Sequence, residues 1–471
     1  MKNIFLKSFL YPAAMTLLLL VASCSEDFLE LQPSGAVDLD SAIKTLDDYK
    51  SAVNGIYSGL QSSNYYGRYF ILVPDVMSDD VKQNAQANRA RDFADYTANV
   101  QDGIASGMFN TIYNVINRAN TVINANAEVP AAVENQKNQY VGEALALRAL
   151  AHFDLVRIFA QHYGFTNDNG HPGIAIVTAF DQDAKPGRNT VAQVYAQIET
   201  DLAEAVKLMT IAPATPGRMS KEAALALLAR VNLYKGDWAK AEQYANDVIS
   251  GGKYKLMTNG EYAASWNNQF SSESIFSIFF RADDDNGSDA LGRMYIVEGY
   301  GDYLPSQDVV SLIPEGDARL AIFEEDPSLS GALGNIRVNK YPNPSVQNST
   351  PIIRLSEMYL IRAEARAMQG KESDAQTDVT TIRQRGLPTA AAVTATGQAL
   401  LDEIEKERRI ELMFEGHRLW DLMRKKKGVF RTDCTGLTCE IPYPNDRFIA
   451  PIPQREIDAN PNMAQNPGYG N

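Results

Sequence analysis

The stretch "AALALLARVNLYKGDWAKAEQYANDVI", Ala223 to Ile249, recurs in outline as "EMYLIRAEARAMQGKESDAQTDVTTI", Glu357 to Ile382. At an offset of 134 residues, Leu225 matches Tyr359, Ala229 matches Ala363, Gly236 matches Gly370, Ala241 matches Ala375 and Val248 matches Ile382. Each copy reads as an amphipathic helix, a Gly-centred turn and a second helix opening on small residues. Alanine at these positions lets two helices approach closely, and glycine ends the first helix without a Cβ penalty. Paired helices of this kind are the tetratricopeptide pattern. One copy would be matched by any helical hairpin; two aligned copies point to a repeat scaffold. The expected fold is mainly α.

Outward from the repeat, helical periodicity covers residues 41–60, 107–161 and 190–250, and resumes over 355–427. Residues 62–105, 164–189 and 251–350 lack it. Within the last of these, "SIFSIFF", Ser274 to Phe280, reads as a strand. From Ile441 to Asn471 the prolines Pro442, Pro444, Pro451, Pro453, Pro461 and Pro467 force an extended, turn-rich path. The chain is thus expected to be one helical body with irregular insertions, preceded by a signal segment.

That segment is residues 1–23, with Lys2 and Lys7 ahead of an apolar run and small Ala22 and Ser23 at its end. The run is short for a bilayer-spanning helix. Val21-Ala22-Ser23-Cys24 resembles a bacterial lipobox, whose cysteine becomes the lipidated first residue; the acidic "SEDFLE" after it resembles a surface-export signal. Triacylation of Cys24 would exceed the two signals that stable anchoring needs. The expected protein is tethered to a membrane rather than spanning it.

A formal net charge of −14 argues against nucleic acid and anionic lipid as partners, since both reward clustered Lys and Arg. Beyond Cys24 only Cys434 and Cys439 remain, in "CTGLTC". Outside the cytoplasm these could form a small disulfide loop or stay as free thiols, and the sequence leaves both open. Without a neighbouring histidine they make a poor zinc site.

Five blocks carry a resemblance that spans the chain in order: "RALAHFDLVRIFA", "GRMSKEAALALLARVNLYKGDWAKAEQYA", "IIRLSEMYLIRAEA", "ERRIELMFEGHRLWDLMR" and "APIPQREIDANPNMAQNPGY". Together with the lipobox they resemble the SusD/RagB family of outer-membrane lipoproteins. The resemblance implies a tetratricopeptide-like α-superhelix, with a loop-rich ligand-binding half containing few short strands. It also implies a binding function without catalysis or cofactor: capture of a glycan, or alternatively a peptide, for a SusC-like TonB-dependent transporter. A surface hydrolase and a scaffold that binds nothing are the competing readings from other classes.

Residue patterns that would carry chemistry do not assemble. Glu403, Glu407, Glu411 and Glu415 recur every four residues in "DEIEKERRIELMFEGHRLWDLMR", read as one helix. A di-metal carboxylate site wants Glu-x-x-His, and Phe414 stands three before His417. Pairing of Glu411 with Arg408 and of Glu415 with Arg418 is the expected structural role. No HExxH, G-x-S-x-G or Walker-type loop occurs. "DDDNGSD", Asp283 to Asp289, fails the EF-hand pattern, which would put Ala282 and Arg293 at ligand positions. No metal site is expected. The ligand site is expected in the irregular segments 62–105 and 251–350, where Asn84, Asn88, Arg91, Trp266, Tyr295 and Tyr300 are the candidates. Aromatic planes cover the apolar C–H faces of sugars while amides and guanidinium groups pair with hydroxyls. Trp266 stands out as the tryptophan outside the family blocks.

Overall fold

Helix α1 (Leu46–Leu60) opens on a capping box: the Thr45 hydroxyl accepts from the Asp48 N–H, and the Asp48 carboxylate accepts from the Thr45 N–H. The computed structural model describes residues 43–84, 87–281, 283–343 and 349–470. The signal segment and Cys24 lie outside these. Residues 1–44 and 45–471 separate into two units; of the first only Ile43 and Lys44 are described, and the second is the subject below.

The longer helices after α1 are α2 (Tyr69–Val76), α3 (Gly103–Ile123), α4 (Glu134–Phe159), α5 (Val191–Leu208), α6 (Lys221–Lys235) and α7 (Trp238–Ser250). They continue as α8 (Leu355–Met368), α9 (Glu372–Gly386), α10 (Gly397–Leu412) and α11 (Arg418–Arg424). Apart from α2 and α11, each packs on the next, from α1 on α3 through to α9 on α10. The fold is the tetratricopeptide-like stack that the repeat predicts. In both copies the turn glycine is left-handed, Gly236 at φ +73° and Gly370 at φ +76°. Ala229, Ala363, Ala241 and Ala375 are all completely buried. Helix α7 of the first copy packs directly on α8 of the second.

Helix α4 forms the middle of the stack, buried on every face from Gly142 to Phe159. A Cβ on Gly142 would stand 2.7 Å from Met209 Cγ, so the glycine is what lets the end of α5 seat there. The final carbonyls of a buried helix need partners from outside it. The proline-rich tail supplies them: Ala450 N–H donates to Ile158 O at 2.7 Å, and Asn466 Nδ2 donates to Phe159 O at 2.9 Å. Arg188 ties the tail down by donating to Asn466 Oδ1 at 2.7 Å.

The strands form two-stranded antiparallel ladders: β1 (Val81–Gln83) with β3 (Tyr303–Pro305), β2 (Ser274–Ile278) with β6 (Thr350–Arg354), β4 (Phe323–Glu325) with β5 (Ile336–Val338), and β7 (Val429–Phe430) with β8 (Glu440–Ile441). Strand β2 falls within the predicted Ser274–Phe280 segment.

Two expectations differ from the structure. Residues 62–105 are not wholly irregular, because α2 and a short helix, Arg91–Ala94, lie within them. All of α2 is buried, so "YFILVPDV" has no polar face to reveal a helical period. The predicted single helix through Glu415 is broken between Leu412 and Arg418, with Phe414 at φ +63° and Gly416 at φ +74°. A side chain on Gly416 would meet the backbone of Ile71 at 3.1 Å, so the break is where α2 comes close.

Candidate functional site

The β1–β3 ladder brings two distant loops together. Val81, Lys82 and Gln83 pair with Pro305, Leu304 and Tyr303, and the zip continues one step as Asn84 N–H donates to Asp302 O at 2.8 Å. The Asn84 side chain adds a bond from Nδ2 to Gly301 O at 3.1 Å. Asn84 and Arg89 therefore share one end of the ladder with residues 300–302. At that end Tyr300 is 39% exposed, with Arg89 stacked on it; the guanidinium carbon stands 3.4 Å from the ring centroid. Arg89 is fixed from the other side by Asp302 Oδ2 at 3.0 Å. Burial weighs against its charge, but Asp302 and Tyr300 outweigh burial and hold the Arg89 pKa above its usual value.

The turn beneath Tyr300 is fixed in turn. Tyr300 N–H donates to Arg293 O at 2.7 Å, and Arg337 donates to Gly301 O at 2.6 Å while its Nε donates to Asp326 at 2.8 Å. Gly301, at φ +55°, has no room for a Cβ, which would fall 2.0 Å from Arg337 Nη1. On either side of Arg89 in the chain, Asn88 and Arg91 are exposed, and Arg91 Nε reaches Asp95 Oδ2 at 3.4 Å. The arrangement offers an aromatic ring, a fixed guanidinium, a second guanidinium and amides.

Of the sequence candidates, Asn84 and Tyr300 are thus brought to the same end of the ladder, while Asn88 and Arg91 are exposed nearby in the chain. Tyr295 lies beneath it, completely buried, with its hydroxyl donating to Asp75 Oδ2 at 3.1 Å; burial and Asp75 push its pKa well up. Trp266 is elsewhere. Its half-buried ring packs edge-on against Tyr262 and Tyr341 and lies 4.5 Å from Lys340 Nζ. With Asn268, Gln269 and Ser349 it lines a cleft of about 30 Å³, room for ordered water. Arg89 was missed by the sequence reading. It sits between Asn88 and Arg91 in the segment already singled out, but only the fold shows that it meets Tyr300.

A roomier cavity of about 290 Å³ opens on the scaffold among Lys50, Tyr140, Glu143, Ile211 and Arg218. Two of its charged groups meet each other: Glu143 accepts from Tyr57 at 2.7 Å and pairs with Arg218 at 2.9 Å. Among the described residues no group of His, Cys, Asp and Glu could hold a metal ion. In the acidic stretch, Asp283 pairs with Arg281 and Asp289 with Arg68. Cys434 and Cys439 are joined in a disulfide.

Three of the four glutamates, Glu407, Glu411 and Glu415, belong to a buried ionic cluster, while half-exposed Glu403 pairs with Arg383. Glu407 meets Arg319 at 2.6 Å, and Glu415 meets Lys340 at 2.6 Å and Arg354 at 2.8 Å. Glu411 meets Arg354 and Arg385, with Arg319 at 3.3 Å. The expected partners are corrected here: Arg408 bonds Asp421 and Arg418 bonds Asp79, because the helix break turns Glu415 and Arg418 onto different neighbours. Burial alone would raise Glu411, but Arg385, Arg354 and Arg319 together hold its carboxyl well below the usual range.

Comparison with known proteins agrees with this architecture. Residues 338–469 match the family described as "SusD family", and residues 27–233 match "Starch-binding associating with outer membrane". SusD-like protein P38 of Formosa agariphila is 26% identical, over 97% of this chain and 99% of its own. A putative sugar binding protein from Bacteroides vulgatus, known from a crystal structure, superposes with a TM-score of 0.84 at 32% identity, covering 91% of this chain and all of the other. A SusD superfamily protein from the same species also gives 0.84, at 30% identity and the same coverage. By fold and by sequence, the chain belongs to the SusD family.

Proposed function

We propose that the protein is a cell-surface lipoprotein of the outer membrane, anchored through Cys24, that captures a glycan and delivers it to a SusC-like TonB-dependent transporter. The observation that carries this reading is the platform at the end of the β1–β3 ladder, where exposed Tyr300 under Arg89 lies beside Asn84. A ring of this kind covers the C–H face of a sugar, and the guanidinium and amide groups around it donate to hydroxyls in a fixed geometry. The names of the matched families and of the sugar-binding relative support a carbohydrate ligand. Asn84, Asn88, Arg89, Arg91 and Tyr300 form the contact set in this reading; Tyr295 supports it from below, and Trp266 contributes to packing.

The test is a glycan array followed by calorimetry on the strongest binder. Tyr300→Ala is expected to weaken binding by about 0.5–1.5 kcal/mol, the worth of one aromatic contact, with little change in Tm because the ring is exposed. Unaltered affinity in Tyr300→Ala and Arg89→Ala alike would remove the platform from the binding site.

A further inference from the structure

The cavity of about 290 Å³ on the helical scaffold is bounded by three elements: α1 through Lys50, the start of α4, and the link from α5 to α6 that carries Ile211 and Arg218. Gln136, Gln139, Tyr140 and Glu143 stand at helical spacing, so two turns of α4 supply its floor. Bonds from behind hold that floor in place. Glu143 is buried and accepts from Tyr57, and Gln139 Nε2 donates to it at 3.3 Å. Arg218 is held by Glu143, by Asn54 Oδ1 at 2.6 Å, and by the face of Tyr57, whose centroid lies 4.5 Å away. The apolar wall is fixed as well, because Ile211 N–H donates to Gln139 Oε1 at 3.2 Å. The Ile211 side chain is left 42% exposed, lining the cavity with Pro213 and Ala214.

The polar groups left over are of one kind. Glu143 and Arg218 answer each other's charge, whereas Lys50, Tyr140 and Gln136 make no ion pair or hydrogen bond with another described residue. Lys50 is therefore the uncompensated charge of the cavity, and each of the three can donate a hydrogen bond. We propose that this cavity, formed by none of the platform residues, is a second binding site, and that its ligand is a small carboxylic acid with an aromatic or branched apolar body. The carboxylate meets the Lys50 ammonium, with Tyr140 and Gln136 as neutral donors, while the body lies on Ile211, Pro213 and Ala214. Size agrees: a cavity of about 150 Å³ holds benzene, so this one takes a ring and its side chain. An unsubstituted sugar fits less well, because hydroxyls turned toward Ile211 and Pro213 would lose water without gaining a partner. Walls already held in place have little freedom left to lose on binding.

Calorimetry and saturation-transfer NMR on the purified protein, with trans-cinnamate, its amide and cellobiose as probes, test this. Cinnamate is expected to bind more tightly than cinnamamide by about two- to fivefold, the worth of one exposed ion pair. Lys50→Gln should bring cinnamate down to the level of the amide and leave the amide as it was, a cycle that a general loss of structure would not produce. Ile211→Ser should weaken both by about three- to tenfold. Both side chains are exposed, so Tm should hold in either variant. No binding of cinnamate at millimolar concentration, equal affinity for acid and amide in the wild type, or wild-type behaviour of both variants overturns the proposal. Displacement of cinnamate by cellobiose also overturns it, by making the cavity a further sugar site. Tyr300→Ala is expected to leave cinnamate binding unchanged; loss there would place this ligand on the platform instead.

Discussion

Glu411 is fully buried, yet three guanidinium groups converge on it, from residues 26, 57 and 92 positions away in the chain. Its worth is best measured by neutralising it. Glu411→Gln keeps the shape but leaves Arg319, Arg354 and Arg385 with one anion fewer in a dry interior, and breaking a buried pair in this way costs about 3–5 kcal/mol. Urea unfolding of the variant should show that loss; a change under about 1 kcal/mol would mean the cluster is solvated or redundant. The sequence displayed the carboxylates, because four-residue spacing marks a helix face. It hid their cations, because partners from other elements leave no periodic trace. The same distinction divides the site. Asn84, Asn88, Arg91 and Tyr300 were legible as polar and aromatic residues in segments without helical period. The exposure of Tyr300 and the burial of Tyr295, five residues earlier, follow from contacts with Arg89 and Asp75, which no local pattern records.

Among the elements, the repeat was the most legible, since its helix-turn-helix units are made of contacts between near neighbours. Ala241 opens the buried face of α7 and Ala375 does the same in α9, both without exposed area. Enlarging either to Leu should overpack its helix pair and cost about 1–3 kcal/mol, read as a lowered urea midpoint with the m-value retained. Near-zero cost at both would break the repeat alignment. Helix α2 was missed for a complementary reason: burial on all sides removes the polar stripe by which a helix announces itself. Strand β2 was found since a short run of bulky apolar residues inside a polar segment has few other uses.

At the scale of the whole molecule, the family blocks gave the architecture, and the lipobox predicts a tether at Cys24. Replacing Cys24 by Ala should release the protein from the outer-membrane fraction, checked by fractionation and by mass spectrometry of the native N-terminus; a variant still anchored would mean that attachment lies elsewhere. The spacing of the blocks could not reveal which ends of the body touch. The last of them, with Asn466 and Ala450, bonds the carbonyls that end α4, while Gln454 N–H reaches Val100 O at 3.0 Å. Because those carbonyls belong to the early part of the chain and their partners to its final thirty residues, the order of synthesis matters. A polypeptide made from its N-terminus cannot cap the end of its central helix until residues 450–466 have followed. A chain that stopped short of Ala450 would be complete in its repeats yet lack the partners that close the end of α4.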